Sequence, residues 1–263
     1  GCTTPTRTPV TATVNVIPTV VSTVPGNRCG VGTVSLEATP SAGTINWFAA
    51  STGGTAIASG NAFTSPSIST NTTYYVSATE GNCTTASRTA VVATVYAIPT
   101  VTSSTPSSRC GSGTVTLAAV ASSGTLNWYA NPTGGASLGS GTSFISPSIS
   151  ESTSYYVDAT ANSCTSASRV AVLATINPQP TITSSTDASR CGNGTLVLNA
   201  AASAGTVRWY SAASGGSVLF NGSAYTTPAL SSTTTYYAEA VVGSCASASR
   251  TAVIATVNAN PTI

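Results

Sequence analysis

The chain has no histidine, no lysine and no methionine among its 263 residues. Without histidine there is no Ser–His or Cys–His nucleophile system, and the commonest zinc ligand is missing. Without lysine there is no Schiff-base amine and no Lys–Asn or Lys–Asp isopeptide cross-link. Charge is scarce: 5% of residues are charged, against about 25% in ordinary globular domains. The acids are Glu37, Glu80, Glu151, Asp158, Asp187 and Glu239. They form no Asp-x-Asp-x-Asp-Gly loop of the calcium-binding kind, and no base stands beside a nucleophile. The reading is therefore not an enzyme, with no cofactor and no metal site. A net charge of +2 spread over the whole length makes no basic stripe, so nucleic acid is not an expected partner. No apolar run approaches the ~18 residues of a membrane helix, so no membrane insertion is expected.

What the chain has is repetition. Arg28-Cys29-Gly30 returns as Arg109-Cys110-Gly111 and as Arg190-Cys191-Gly192, a period of 81 residues. Trp47, Trp128 and Trp209 keep that spacing, as do Cys83, Cys164 and Cys245. Pro-Thr pairs mark the joints at residues 18, 99, 180 and 261. A period this strict means tandem copies of one small domain. The copies run 18–98, 99–179 and 180–260. Residues 1–17 read as the last strand of a truncated preceding copy, because Cys2-Thr3-Thr4 and Arg7 match Cys83-Thr84-Thr85 and Arg88. Residues 261–263 read as the start of a next one, which makes the chain a segment of a longer array.

Within the first copy, apolar residues alternate with polar ones in short runs at 33–38, 44–48, 72–78 and 86–95. Shorter β-rich runs lie at 19–23, 55–58 and 62–68, the last broken by Pro66 and so expected to be an edge or irregular strand. Thr52-Gly53-Gly54 is a turn signal. No stretch has helical periodicity. About seven short strands in this length, with a tryptophan on the third, predict an all-β fold: tandem immunoglobulin-like β-sandwich modules arranged as a rod.

Six of the seven cysteines fall two to a copy. At this spacing they point to disulfides and an oxidising, extracellular compartment. Pairing within a copy (Cys29–Cys83, Cys110–Cys164, Cys191–Cys245) is favoured, because a small domain that needs a staple is expected to hold it internally, and it leaves Cys2 without a partner. One difficulty attends it: strand alternation puts the two cysteine-bearing loops at opposite ends of a sandwich, unless the loop at 24–31 folds down the side or an extra short strand changes the parity. A rival scheme (Cys2–Cys29, Cys83–Cys110, Cys164–Cys191) joins neighbouring copies.

Each copy reads R-C-G-x-G-T, W-[FY], G-G, Y-Y-x-x-A and C-x-x-A-S-R-x-A-V-x-A-T. This string resembles the Ig-like repeat of long secreted surface proteins of Bacteroidetes, including gliding-type adhesins exported by type IX secretion. The resemblance implies a β-sandwich serving as a stalk or spacer in a large cell-surface adhesin. It brings no catalytic residues, and it maps the family's cysteine pair onto Cys29/Cys83, Cys110/Cys164 and Cys191/Cys245. Alternative readings are a segment of an extracellular filament and an array of carbohydrate-binding modules. Expected partners are neighbouring repeats of the same chain, with other chains laterally or a surface glycan as further candidates.

Two sets of side chains stand out as candidates. Arg28 with Arg88, Arg109 with Arg169 and Arg190 with Arg250 flank the cysteines. They are read as structural forks on loop carbonyls, with a repeated anion contact as the sharper alternative. Alternation buries Trp47, Trp128 and Trp209 as core residues. It turns Phe48 with Tyr75, Tyr129 with Tyr156 and Tyr210 with Tyr237 outward as cross-strand pairs, a flat surface on which a sugar or another chain would rest.

Overall fold

The computed structural model describes residue 1 and residues 6–261. Among them every regular element is a strand. The first copy holds β1 (Val20–Val24), β2 (Gly26–Cys29), β3 (Ser35–Pro40), β4 (Thr44–Phe48), β5 (Ala58–Ser59), β6 (Ala62–Thr64), β7 (Thr72–Glu80), β8 (Cys83–Thr84) and β9 (Thr89–Tyr96). The same series recurs as β10 to β18 between Val101 and Asn177, and as β19 to β27 between Ile182 and Asn258. By internal contact the chain falls into two units. One comprises residues 1–100 with 122–124 and 159–167; the other comprises 101–121, 125–158 and 168–263.

Each copy is a two-sheet sandwich. In the first, β1-β3-β6 form one sheet, and β2-β9-β7-β4-β5 form the other, with β8 paired to β7. Period-two alternation builds the core between them. Leu36 and Ala38 point inward from β3, Ile45 and Trp47 from β4, Tyr74, Val76 and Ala78 from β7, and Val91 and Ala93 from β9, all buried. Trp47 is fully buried, stacks on Phe63 at 5.2 Å and donates its indole N–H to the Gly60 carbonyl at 2.8 Å. Burying a Leu or Phe side chain of this kind contributes about 1.5–3 kcal/mol. Pro66 follows rather than interrupts a strand: β6 stops at Thr64 and lies at a sheet edge. The buried Ser65 hydroxyl accepts from Val34 N and donates to the Pro66 carbonyl.

Two elements depart from the expected seven strands in a way that matters. The 24–31 segment contains β2, which pairs in parallel with β9, placing Arg28 opposite Val95 and Cys29 opposite Tyr96. The switch from β1, antiparallel to β3, occurs at Pro25, a residue with no N–H to give to either ladder. In the third copy Asp187 stands there instead, and its Oδ1 accepts from Ile254 N at 2.7 Å. β8 forms a short hairpin with the end of β7, Glu80 opposite Cys83.

Residues 6–17, read as the last strand of a preceding copy, carry no strand pairing. In each complete copy that strand pairs with the copy's own β7-type strand, and among the described residues all three of those strands are taken in this way. Cys2 and residues 262–263 lie outside the described residues, and so do the readings placed on them.

Candidate functional site

The cysteine positions follow from the strand directions. Cys29 ends β2 beside Tyr96, the last residue of β9. Cys83 opens β8, and the chain from there enters β9 at Thr89. The eight residues of β9 separate the two by more than ~20 Å at ~3.4 Å per residue. A disulfide needs Cα atoms no more than about 7 Å apart. Pairing within a copy is therefore excluded by the fold, and the rival scheme is not adopted either. The bonds are Cys29–Cys164 and Cys110–Cys245, with Cα–Cα distances of 5.6 and 5.5 Å. Each spans 135 residues and joins the exit end of one copy to the β7–β8-type hairpin of the next. Cys29 and Cys164 lie in the first contact unit, Cys110 and Cys245 in the second. Cys83 and Cys191, both assigned to bridges from the sequence, are free thiols.

The R-C-G-x-G motif shapes the cysteine-bearing turn. The Gly30 N–H donates to the Tyr96 carbonyl at 2.8 Å from a left-handed backbone (φ 68°). A Cβ on Gly32 would overlap the Arg28 guanidinium, which lies across it. Arg28 donates Nε–H to the Gly30 carbonyl and Nη1–H to the Thr33 carbonyl; Arg190 does the same with Gly192 and Thr195. Arg109 reaches Thr114 through Nη1.

The linkers meet this turn differently. In the first unit the Ile98 side chain lies against Gly30, yet remains 43% exposed. In the second, Gln179 lies against Gly111 and donates Nε2–H to the Ala246 carbonyl at 3.2 Å. There Asn177 to Pro180, Ser203, Ala204 and Val242 to Cys245 line a cleft of about 450 Å³.

The second arginine of each copy sits elsewhere. Arg88 lies over the Phe48 ring at 3.3 Å, and Arg169 and Arg250 lie over Tyr129 and Tyr210 at 3.2 Å. Arg88 Nη1 donates to the carbonyls of Ala50 and Gly53, clamping the Gly-Gly turn. Arg169 and Arg250 make the same pair of contacts. Arg28 and Arg88 are thus not drawn together by a bridge, as the pairing within a copy implied. Phe48 faces Tyr75 and Tyr210 faces Tyr237 across the sheet. In the second copy Tyr129 lies on β13 (Thr125–Tyr129) and Tyr156 on β16 (Thr153–Ala161).

Beneath the later arginines lies a carboxylate, Asp158 in the second copy and Glu239, 81 residues on, in the third. Asp158 approaches Arg169 Nε at 3.4 Å and accepts from Asn127 Nδ2 at 3.1 Å. Glu239 approaches Arg250 Nε at 3.6 Å and accepts from the Tyr210 hydroxyl at 2.8 Å. The first copy has the buried Ser77 instead, and a cleft of about 580 Å³ opens between Phe48, Ser77 and Arg88. Among the described residues no three His, Cys, Asp or Glu side chains group as a metal site, and no helix is long and apolar enough to cross a membrane.

The family model for "Ig-like domain CHU_C associated" matches three times, over residues 16–96, 97–178 and 179–259. The chain belongs to this family. The family matches the resemblance carried by the motif string, an Ig-like repeat of Bacteroidetes-type surface proteins. No curated protein matches the chain. Among solved structures, the I-band fragment I67–I69 from titin is 14% identical, with 94% of this chain and 100% of that chain covered and a TM-score of 0.49. Sidekick-1 immunoglobulin domains 1–5 are 16% identical, with 93% and 60% covered and a TM-score of 0.41; the chain spans about 60% of that length. Drosophila OTK extracellular domains 3–5 are 10% identical, with 93% and 98% covered and a TM-score of 0.39. The fold assignment rests on strand order and family. Tandem Ig-like domains joined by disulfides fit a structural or adhesive segment of an extracellular or secreted protein.

Proposed function

We propose that the chain is a non-enzymatic stalk or spacer segment of a large bacterial cell-surface adhesin. The observation that carries this reading is the direction of the disulfides. Neither bond closes a copy on itself; each ties one copy to the next. A single binding or catalytic module gains nothing from such a bond, whereas an array that must hold its order along its length gains at every joint. The rings expected to face outward favour the spacer reading over a carbohydrate-binding array, and Tyr210 is in fact buried. On Phe48, Tyr129 and Tyr210 one ring face is already taken by an arginine. The filament reading uses the same joints and differs only in what the array adjoins.

Two measurements test the proposal together. Antibody raised against the chain should label intact producing cells along projections rather than the cytoplasm. Small-angle scattering of the oxidised chain should give an elongated particle. A folded-back shape in solution, or label confined to the cell interior, overturns it.

A further inference from the structure

We infer that the cleft beside Arg88 in the first copy is a binding site for an acidic sugar, held through its carboxylate. The inference goes beyond the spacer reading above and does not depend on it.

The three copies build the same arginine and give it different company. Arg88, Arg169 and Arg250 each lie over an aromatic ring. Each also gives Nη1 to the same two carbonyls around its Gly-Gly turn. The guanidinium is therefore placed by groups other than a carboxylate. In the second and third copies its Nε faces Asp158 or Glu239. In the first copy Ser77 stands at that position, and Phe48 has no hydroxyl where Tyr210 donates to Glu239. Arg88 has no ion pair among the described residues. The neighbouring amide follows the change. Asn127 gives Nδ2 to Asp158, whereas Asn46, opposite Ser77 on the paired strand, gives Nδ2 to Thr79 Oγ1 at 3.2 Å. The first copy thus keeps the carboxylate-binding arginine without a carboxylate of its own.

The cleft at this arginine, about 580 Å³, has the size of a small-ligand site. Its walls narrow the ligand class. The side-chain hydroxyls of Ser51, Thr52, Ser77 and Ser87 line it, and none of the four is engaged in a hydrogen bond among the described residues. A ligand with one carboxylate and several hydroxyls uses both the guanidinium edge and these walls; a simple aliphatic acid uses the guanidinium alone. The acids of the first copy, Glu37 and Glu80, are not part of the lining, so no fixed negative charge there opposes an anion. The contact is made at the edge of the guanidinium, so the cover that Arg88 gives the Phe48 ring does not block it.

The test uses the full chain with sodium glucuronate as probe and glucose and sodium acetate as controls, titrated at low salt and followed by NMR. Glucuronate should shift the amide signals of residues 51–53 and 84–88. It should bind about tenfold or more tighter than either control, the glucose difference being the value of a hydrogen bond to a charged group. Ser77→Asp, which supplies the carboxylate as the second copy does, should weaken glucuronate by about tenfold or more. Asp158→Ser should add a second site, read as new shifts at residues 132–134 and 165–169. Unchanged binding in Ser77→Asp, no second site in Asp158→Ser, or a control that matches glucuronate overturns the inference. The Asp158→Ser readout keeps the test decisive if the other variant fails to fold. Such a failure leaves the stalk reading standing, because that reading rests on the two internal bridges.

Discussion

Asp158 shows how one residue separates copies that otherwise match. Its carboxylate is buried between Arg169 and Asn127, and the serine at the same place in the first copy, Ser77, gives its arginine no ion pair among the described residues. Asp158→Ser should therefore be tolerated by the fold and cost about 1.5–3 kcal/mol, the value of a hydrogen bond to a charged group. Urea denaturation of the unmodified and variant chains measures it; no loss would mean that the pair only breaks even against desolvation. Tyr225 gives a second difference. It replaces Phe63 and Phe144 in the aromatic stack. Burial first, then the neighbouring Tyr236 phenol, push its ionisation above the ordinary value of 10.0. The folded state thus holds a proton that the unfolded chain releases. This contribution is intact below about pH 10 and is lost as the pH rises through the folded value. Tyr225→Phe should leave melting unchanged near neutrality and raise the melting temperature above pH 10. An equal alkaline loss in the variant would assign the effect to other tyrosines.

At the scale of elements, the strands that the sequence displays are those with alternating apolar residues. Runs at 33–38, 44–48 and 72–78 correspond to β3, β4 and β7, because their inward side chains build the core. β2 shows no pattern of its own, since Gly-Asn-Arg-Cys has no apolar alternation; only the strand-parity difficulty hinted at an extra short strand, and its place is set by backbone pairing to β9. The cysteine pairing was illegible for an arithmetical reason. Cys29 to Cys83 is 54 residues, and Cys29 to Cys164 is 54 plus one period of 81. In a perfect repeat, phase alone does not distinguish them; strand direction does. The correction changes what loss of a bridge should do. Closing a 135-residue loop contributes about 5 kcal/mol on the chain-entropy account, and that amount belongs to the joint rather than to one sandwich. Cys110→Ser with Cys245→Ser should keep the second and third cores folded, since each has its own buried tryptophan. Hydrogen exchange should quicken around residues 108–113 and 243–247. Global unfolding of one copy would show that the joint is part of its core.

For the whole molecule, the two bonds overlap in sequence, since Cys110 lies inside the first loop and Cys164 inside the second. Consider the chain pulled from its two ends. Tension enters along residues 1–29, crosses to Cys164, runs backward to Cys110, crosses again to Cys245 and leaves at 263. That covalent route takes about 100 of the 262 residue steps, or ~350 Å when fully drawn out, against ~900 Å for the unbridged chain. Single-molecule extension before and after reduction should show that ratio. The chain between Cys29 and Cys110 and between Cys164 and Cys245 then carries no net load, so two stretches of 81 steps are spared however hard the ends are drawn. Repetition of one staple, offset from the domain it begins in, gives this segment a built-in limit to its stretch.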